Sequence, residues 1–558
     1  MQSTIQDAQL GVARILRHAA RVTAAAPVVT RTTAGRSRVR LGEVAARAGR
    51  LADALRRRGV GPGNVVASYA SATQEHLEAY LAIPGMGAVL HTLNIRLHEG
   101  QLADMAVEAD DRVVLVDGAL ADRFAALAPR LAGGRVRLVI VTGSDVPDRF
   151  PGLDVETVGY EALLGEGEPV VDWPDPRENT AAVLCYTGGT TGRPKGVAYS
   201  HRSLWLQAAS LCTVNSLGIG AEETILPAVP FYHVNGWGIP YAAMMAGAGL
   251  VLPGTQFQPS VLNPLLDEEA VTLAAGVPTI WSDVLAARKA AALPPPPYLR
   301  RLSMGGAPVP DSLVAAWGSL GVATSNAWGM TETSSMSAIG PSSTEVAQPG
   351  RVVCGLEIRV ASLEGEVLPS DGRTPGEIQI RGPWVASHYY RQEGNDGFQD
   401  GWLRTGDIGL VDGDGRVALT DRLKDAIKSG GEWIPSLPLE EAIRAHPSVR
   451  DVAVIAMPDE RWQERPLALV VAEPDFDPAD VARFLDGRVT RWWIPAHWAR
   501  VDELPRTTVG KADKAGMRAS LAAGEFAIEP VSAPTVSSEA PHVRSARGSS
   551  AAQAKSRG

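Results

Sequence analysis

At 558 residues the chain is too long for one ordinary hydrophobic core, so two or more domains are expected. With 45% hydrophobic and 21% charged residues the composition is globular, and a net charge of −9 argues against nucleic acid as a partner. Three widely spaced cysteines, Cys185, Cys212 and Cys354, fit neither a disulfide framework nor a zinc spacing and read as reduced core thiols.

The N-terminal stretch MQSTIQDAQLGVARILRHAARV lacks the continuous apolar segment of a signal peptide and reads as a short amphipathic helix. From Leu41, the positions Val44, Ala48, Leu51 and Leu55 follow helical spacing and Gly59 is a stop. Apolar strands follow at Val65 to Ala67, Val113 to Val116 and Leu138 to Val141, with helical patterns between them. This is the grammar of an α/β sheet whose parallel strands are buried on both faces.

After the apolar run Ala181 to Cys185 comes YTGGTTGRPKG, Tyr186 to Gly196, with four glycines, three threonines and Lys195. Glycines free the backbone N–H groups, hydroxyls add donors and the lysine adds charge, so this loop suits a polyphosphate. The order after Gly192 is Arg, Pro, Lys, Gly, which excludes a Walker A loop. A plain polar turn is the competing reading.

Farther on, AVPFYHVNGWG (Ala228 to Gly238) carries His233, by itself an ordinary packed histidine. The run Ile239 to Pro253 is too short and too broken by Gly and Pro to cross a bilayer, so a cytoplasmic enzyme is expected. Strands at Leu299 to Met304 and Val322 to Ala327 run into Gly305-Gly306-Ala307 and Trp328-Gly329-Met330-Thr331-Glu332, a glycine-lined slot that suits a purine. By itself the Thr331-Glu332 pair reads as a helix cap. Asp407, in WLRTGD, reads by itself as a turn aspartate. Asp421 to Ile434, DRLKDAIKSGGEWI, is by itself a charged surface segment. Strands at Asp451 to Ala456 and Leu467 to Val471 belong to a compact module in which Trp492, Trp493 and Trp498 pack, and which carries PRTTVGKADK with Lys511 on a turn. The stretch 530–558, rich in Ser, Ala, Pro and Arg, reads as a disordered tail. There are no internal repeats.

Taken together, these strings resemble the motifs of the adenylate-forming superfamily, which includes acyl-CoA synthetases, adenylation domains and luciferases. HVNGW and SGGEWI are most similar to the medium- and long-chain fatty acyl-CoA synthetases, and the resemblance extends over about Ala45 to Leu521. It implies a large α/β domain of stacked sheets and helices at 1–421, a hinge at 422–424, and a small mobile α+β domain at 425–523. Thr187, Gly188, Gly189, Thr190, Thr191 and Lys195 would hold the ATP phosphates. Gly305, Gly306, Ala307 and Trp328 would hold the nucleotide. Thr331 would contact the α-phosphate, Glu332 would hold Mg²⁺, Asp407 would bind the ribose hydroxyls, and Arg422 would reach ribose or phosphate. Tyr232, His233, Val234 and Trp237, with Gly305 and Trp328, would line the acid pocket, Trp237 as a gate. Lys424 would be the hinge, Ser429, Gly430, Gly431 and Glu432 the thioester-forming face, and Lys511 the adenylation lysine.

The implied activity is ATP-dependent: a hydrophobic carboxylic acid becomes an acyl-AMP with release of pyrophosphate, and rotation of the small domain then allows thioester formation with coenzyme A. A carrier protein is an alternative acceptor, a bulky cyclic or aromatic acid an alternative substrate, and related fatty-acid enzymes often form homodimers. Gly188, Ala327 and Trp328 stand where the superfamily usually has Ser or Thr, Gly, and Tyr. A nucleotide-binding module without catalysis would explain those departures, but Glu332, Asp407, Arg422 and Lys511 are all present.

Overall fold

The computed structural model of the chain describes residues 1, 3–32, 35–170, 172–187, 194–341, 350–362, 364–392, 397–429, 432–506 and 512–531. The chain divides into two compact units, Met1–Lys424 with Pro505–Ala515, and Asp425–Leu504 with the residues from Gly516 on. Among the described residues the strands form sheets of fifteen, seven and six strands.

In the large unit, helix Val12–Arg21 buries Val12, Ile15, Leu16 and Ala19, one stripe at helical spacing. Helix Leu41–Arg57 buries Val44, Ala48, Leu51 and Leu55, and the chain turns at Gly59 with φ 73°. The two helices pack against each other, and in the seven-stranded sheet strands Asp111–Val116 and Leu138–Val141 pair in parallel and are buried almost throughout. Apolar cover on both faces is what such near-continuous Val, Ile and Leu runs require. A polar knot joins helix Leu41–Arg57 to helices Gln74–Gly85 and Tyr160–Glu166: wholly buried Glu78 accepts from Arg47 Nε at 2.7 Å, Gln74 Nε2 at 2.8 Å and Tyr160 Oη at 2.5 Å. A carboxylate removed from water needs such partners.

The fifteen-stranded sheet changes character partway across. Thr224–Ala228, Leu273–Gly276, Arg301–Gly305 and Ala323–Met330 pair in parallel. Beyond them Ser335–Pro341, Gly350–Val352, Arg416–Arg422 and Trp402–Val411 pair antiparallel. Three details differ from the sequence reading. The strand expected to stop at Ala327 runs on to Met330, because Ser335–Pro341 folds back and pairs with Trp328 to Met330 around a bulge at Trp328/Gly329. Asp407 lies inside the ten-residue strand Trp402–Val411, not at a turn. Cys354 is exposed and so is not a core thiol; Cys185 is buried and Cys212 half-buried.

The second unit is built on the hairpin Val449–Asp459 and Gln463–Ala472, longer than its apolar cores suggested, with helices Ser436–Arg444 and Pro478–Leu485. Trp498 is buried in its core, and Trp492 and Trp493 pack partly buried against the same cluster. The fold is thus a large α/β domain with stacked sheets and helices plus a small α+β domain. Among the described residues no helix is long and apolar enough to cross a membrane.

Candidate active site

Gly305, Trp328, Thr331 and Glu332 lie where the large sheet changes from parallel to antiparallel. Gly305 ends strand Arg301–Gly305 opposite Ala327, and Trp328 follows on the neighbouring strand. The bulge there depends on glycine: a Cβ on Gly329 would lie 1.5 Å from Ser335 O. A short turn, Thr331–Thr333, then carries Glu332.

Trp328 and Asp407 meet directly, Nε1 donating to Oδ2 at 2.8 Å. Their strands are four places apart in the sheet, a separation of about 19 Å if the sheet were flat, so it must curl to bring them together. Opposite Asp407 in strand register stands Arg422, whose Nε lies 2.6 Å from Oδ1. The buried carboxylate is therefore held on both oxygens, by an indole from one side of the curl and a guanidinium from the other.

A second group forms around Glu332. Tyr389 Oη donates to Glu332 Oε1 at 2.7 Å, and Ala386 N donates to the Glu332 carbonyl at 2.7 Å. Burial, with the Glu332 carboxylate beside it, raises the Tyr389 phenol above its ordinary pKa, so it remains a donor. Lys195 Nζ lies 4.5 Å from the centre of the Tyr389 ring, a cation–π contact that places this charge on the Glu332 side of the site. The base of the Gly/Thr loop is closed by Thr187 N donating to Lys195 O at 2.9 Å and Lys195 N to Thr187 Oγ1 at 3.1 Å. Tyr199 Oη donates to Thr331 O at 2.7 Å, anchoring the Glu332 turn from the strand that follows this loop.

On the other flank, Tyr232, Val234 and Trp237 are buried and His233 is half-buried. A Cβ at Gly306 would lie 3.9 Å from Trp237 Cζ2, so the indole stands over the end of strand Arg301–Gly305. Ala307 follows, half-buried, at the same strand end. Gly188, Gly189, Thr190, Thr191, Gly430, Gly431 and Lys511 lie outside the described residues, as does the side chain of Glu432. Lys424 is the last residue of the first part of the large unit. Ser429, buried, belongs to the second unit.

The sequence of the AMP-binding enzyme family matches residues 16–390, and its C-terminal domain matches 438–511. The chain belongs to the AMP-binding enzyme family. Among curated relatives, the medium-chain-fatty-acid–CoA ligase of Ectopseudomonas oleovorans is 39% identical over 534 residues, 91% of this chain and 96% of the relative. The 3-methylmercaptopropionyl-CoA ligase of Ruegeria lacuscaerulensis is 38% identical over 531 residues, with the same coverage. The crystal structure of ATP-bound MatB from Rhodopseudomonas palustris superimposes with a TM-score of 0.78 at 27% identity, covering 91% of this chain and 99% of that one. This member of the family is an ATP-dependent ligase that joins a carboxylic acid to coenzyme A.

Sequence motifs did not point to Tyr199, Tyr389 or Ser335. Tyr389 and Tyr390, an aromatic pair in the polar stretch Ser387 to Gln392, were the available signal for one of them. The other two lie within apolar or small-residue strands and carry no local mark.

Proposed function

We propose that this ligase activates a hydrophobic acid, a medium- or long-chain fatty acid or a near analogue, as its acyl-AMP with Mg²⁺-ATP, and passes the acyl group to coenzyme A. The observation that carries this reading is the pairing of two environments at one strand end. The Glu332, Lys195 and Asp407 groups lie on the Trp328 side, and the apolar wall of Val234 and Trp237 stands over Gly306. The names of the fatty-acid and methylmercaptopropionyl relatives agree with such a wall.

The donor set around Glu332 fits a hard cation that takes most of its ligands from phosphate. It offers one buried carboxylate, and among the described residues no group of three or more His, Cys, Asp or Glu side chains is arranged to hold a metal. Bound there, Mg²⁺ would neutralise charge on the displaced pyrophosphate. Thr331 would meet the α-phosphate, and the Tyr186 to Gly196 loop with Lys195 would clamp the distal phosphates. Asp407, fixed by Trp328 and Arg422, would accept from the ribose hydroxyls. A hinge at Lys424 would let Lys511 serve the first step and the face at Ser429 to Glu432 the second.

The test is pyrophosphate release with ATP, Mg²⁺ and a panel of fatty, cyclic and aromatic acids, with and without coenzyme A. The expected result is release that depends on a fatty acid, with thioester formed when coenzyme A is supplied. Release with cyclic acids alone would replace the substrate class, and acyl-AMP that coenzyme A does not consume would point to a carrier protein.

The ribose assignment has its own consequence. Asp407→Asn removes the charge from the acceptor, and hydrogen bonds to charged groups contribute about 1.5–3 kcal/mol. KM for ATP should therefore rise about tenfold or more while KM for the acid stays unchanged. The variant should also lose most of its preference for ATP over 2′-deoxy-ATP. Initial rates with both nucleotides decide it, and an undiminished preference would remove Asp407 from the ribose.

A further inference from the structure

The turn that carries Trp237 is held by two buried side chains that the reaction as described above does not use. From Val234 to Gly238 the φ angles are 40°, 43°, 60°, 58° and 72°, five consecutive residues in the left-handed region. Three of these are not glycine and one is β-branched, a conformation L-residues avoid and keep only where the surroundings over-determine it.

Gln207 and Ser335 supply that constraint. Gln207, on helix His201–Cys212, donates from Nε2 to Ser335 Oγ at 2.7 Å and to the Trp237 carbonyl at 3.3 Å. Ser335 Oγ donates to the same carbonyl at 3.1 Å, which closes a triangle of three hydrogen bonds. Gln207 and Ser335 are 2% and 4% exposed, so water cannot replace either partner. The amide is seated tightly on the turn: a Cβ at Gly238 would lie 2.0 Å from Gln207 Oε1.

Each corner of the triangle leads to a different part of the site. Ser335 follows the Glu332 turn, and its carbonyl accepts from Thr333 Oγ1 at 3.0 Å. Trp237 projects its indole over Gly306. Gln207 ties both to the helix that follows strand Gly196–Ser200. The backbone beneath the indole is thus held at a carbonyl that accepts from two side chains.

We propose that Gln207 and Ser335 are positioning residues that determine acyl-chain selectivity. By fixing the Trp237 carbonyl in the left-handed turn they set where the indole stands, and so how long a chain passes it. Without the triangle the turn loses what holds it in that region, and the indole no longer closes the pocket at one depth. The proposal rests on the reading of Trp237 as a wall of the acid pocket.

The test uses Ser335→Ala and Gln207→Met, which remove the hydrogen bonds with little change of volume, in the full-length protein. Straight-chain acids from butyrate to palmitate are competed in one reaction, so that ratios of kcat/KM are read independently of how much enzyme is folded. The expected result is a shift of about tenfold in the ratio between long and medium chains in each variant, with KM for ATP unchanged. The double variant should shift no further than either single one, because the two residues act as a unit. An unaltered ratio, or an equal fall for every acid, overturns the proposal and leaves the triangle a structural role alone. Trp237→Ala separates the two levels. If it leaves the chain-length profile untouched, the pocket reading fails; if it changes the profile while Ser335→Ala and Gln207→Met do not, only the positioning role fails.

Discussion

In the Lys511→Ala variant, acid-dependent pyrophosphate release should fall by about two to three orders of magnitude, while transfer of the acyl group from supplied acyl-AMP to coenzyme A continues near the wild-type rate. Attack of a carboxylate on an α-phosphate brings two anions together, and no protein nucleophile shares the work. The barrier is lowered by positioning and by positive charge placed where negative charge gathers. Lys511, between Gly510 and Ala512, would supply that charge. Arg506 forms an isolated bridge with Ala512, and Asp513 N donates to Pro505 O at 2.8 Å, so the chain is tied together on either side of 507–511. Thioester formation involves a thiol and a carbonyl and does not need this charge. Single-turnover measurements of the two half-reactions decide the point. Equal loss in both would mean that Lys511 supports the fold and not the first step.

Glu332→Gln should lower kcat for adenylation by about a hundredfold and move the Mg²⁺ concentration giving half-maximal rate upward, with little change in KM for the acid. The side chain is 7% exposed and one oxygen is already engaged by Tyr389, so the substitution retains the shape and one acceptor and removes only the charge. A cation held there chiefly through phosphate would lose its one protein carboxylate, which excess Mg²⁺ would restore in part. A Mg²⁺ titration at saturating ATP reads this, and an unshifted titration with a reduced plateau would place Glu332 outside the metal's reach.

Much of the chemistry could be read before any coordinates because it resides in short strings whose order is local. YTGGTTGRPKG and WGMTE each combine a strand end with glycines and functional groups, and WLRTGD carries its aspartate within a strand. The helix Leu41–Arg57 and strand Leu138–Val141 followed from periodicity and from uninterrupted apolar runs. Strand lengths were less legible. Ala323–Met330 and Trp402–Val411 continue past their apolar cores because pairing with an antiparallel neighbour, not side-chain pattern, extends them. Cys354 was misplaced for a related reason, since a small thiol carries no periodic signal of its own burial.

What the sequence by itself determined about this protein is its fold class, its family and its ligase activity, since these depend on residue types at fixed local spacing. Only the tertiary structure decided how the functional groups are held. The Trp328–Asp407 bond joins strands that lie apart unless the sheet curls, and Tyr389 reaches Glu332 from a segment with no motif. The left-handed Trp237 turn is fixed by Gln207 and Ser335, 30 and 98 residues away in the chain. Contacts between residues so distant are set by the curvature and packing of whole sheets, which no local pattern of side chains encodes.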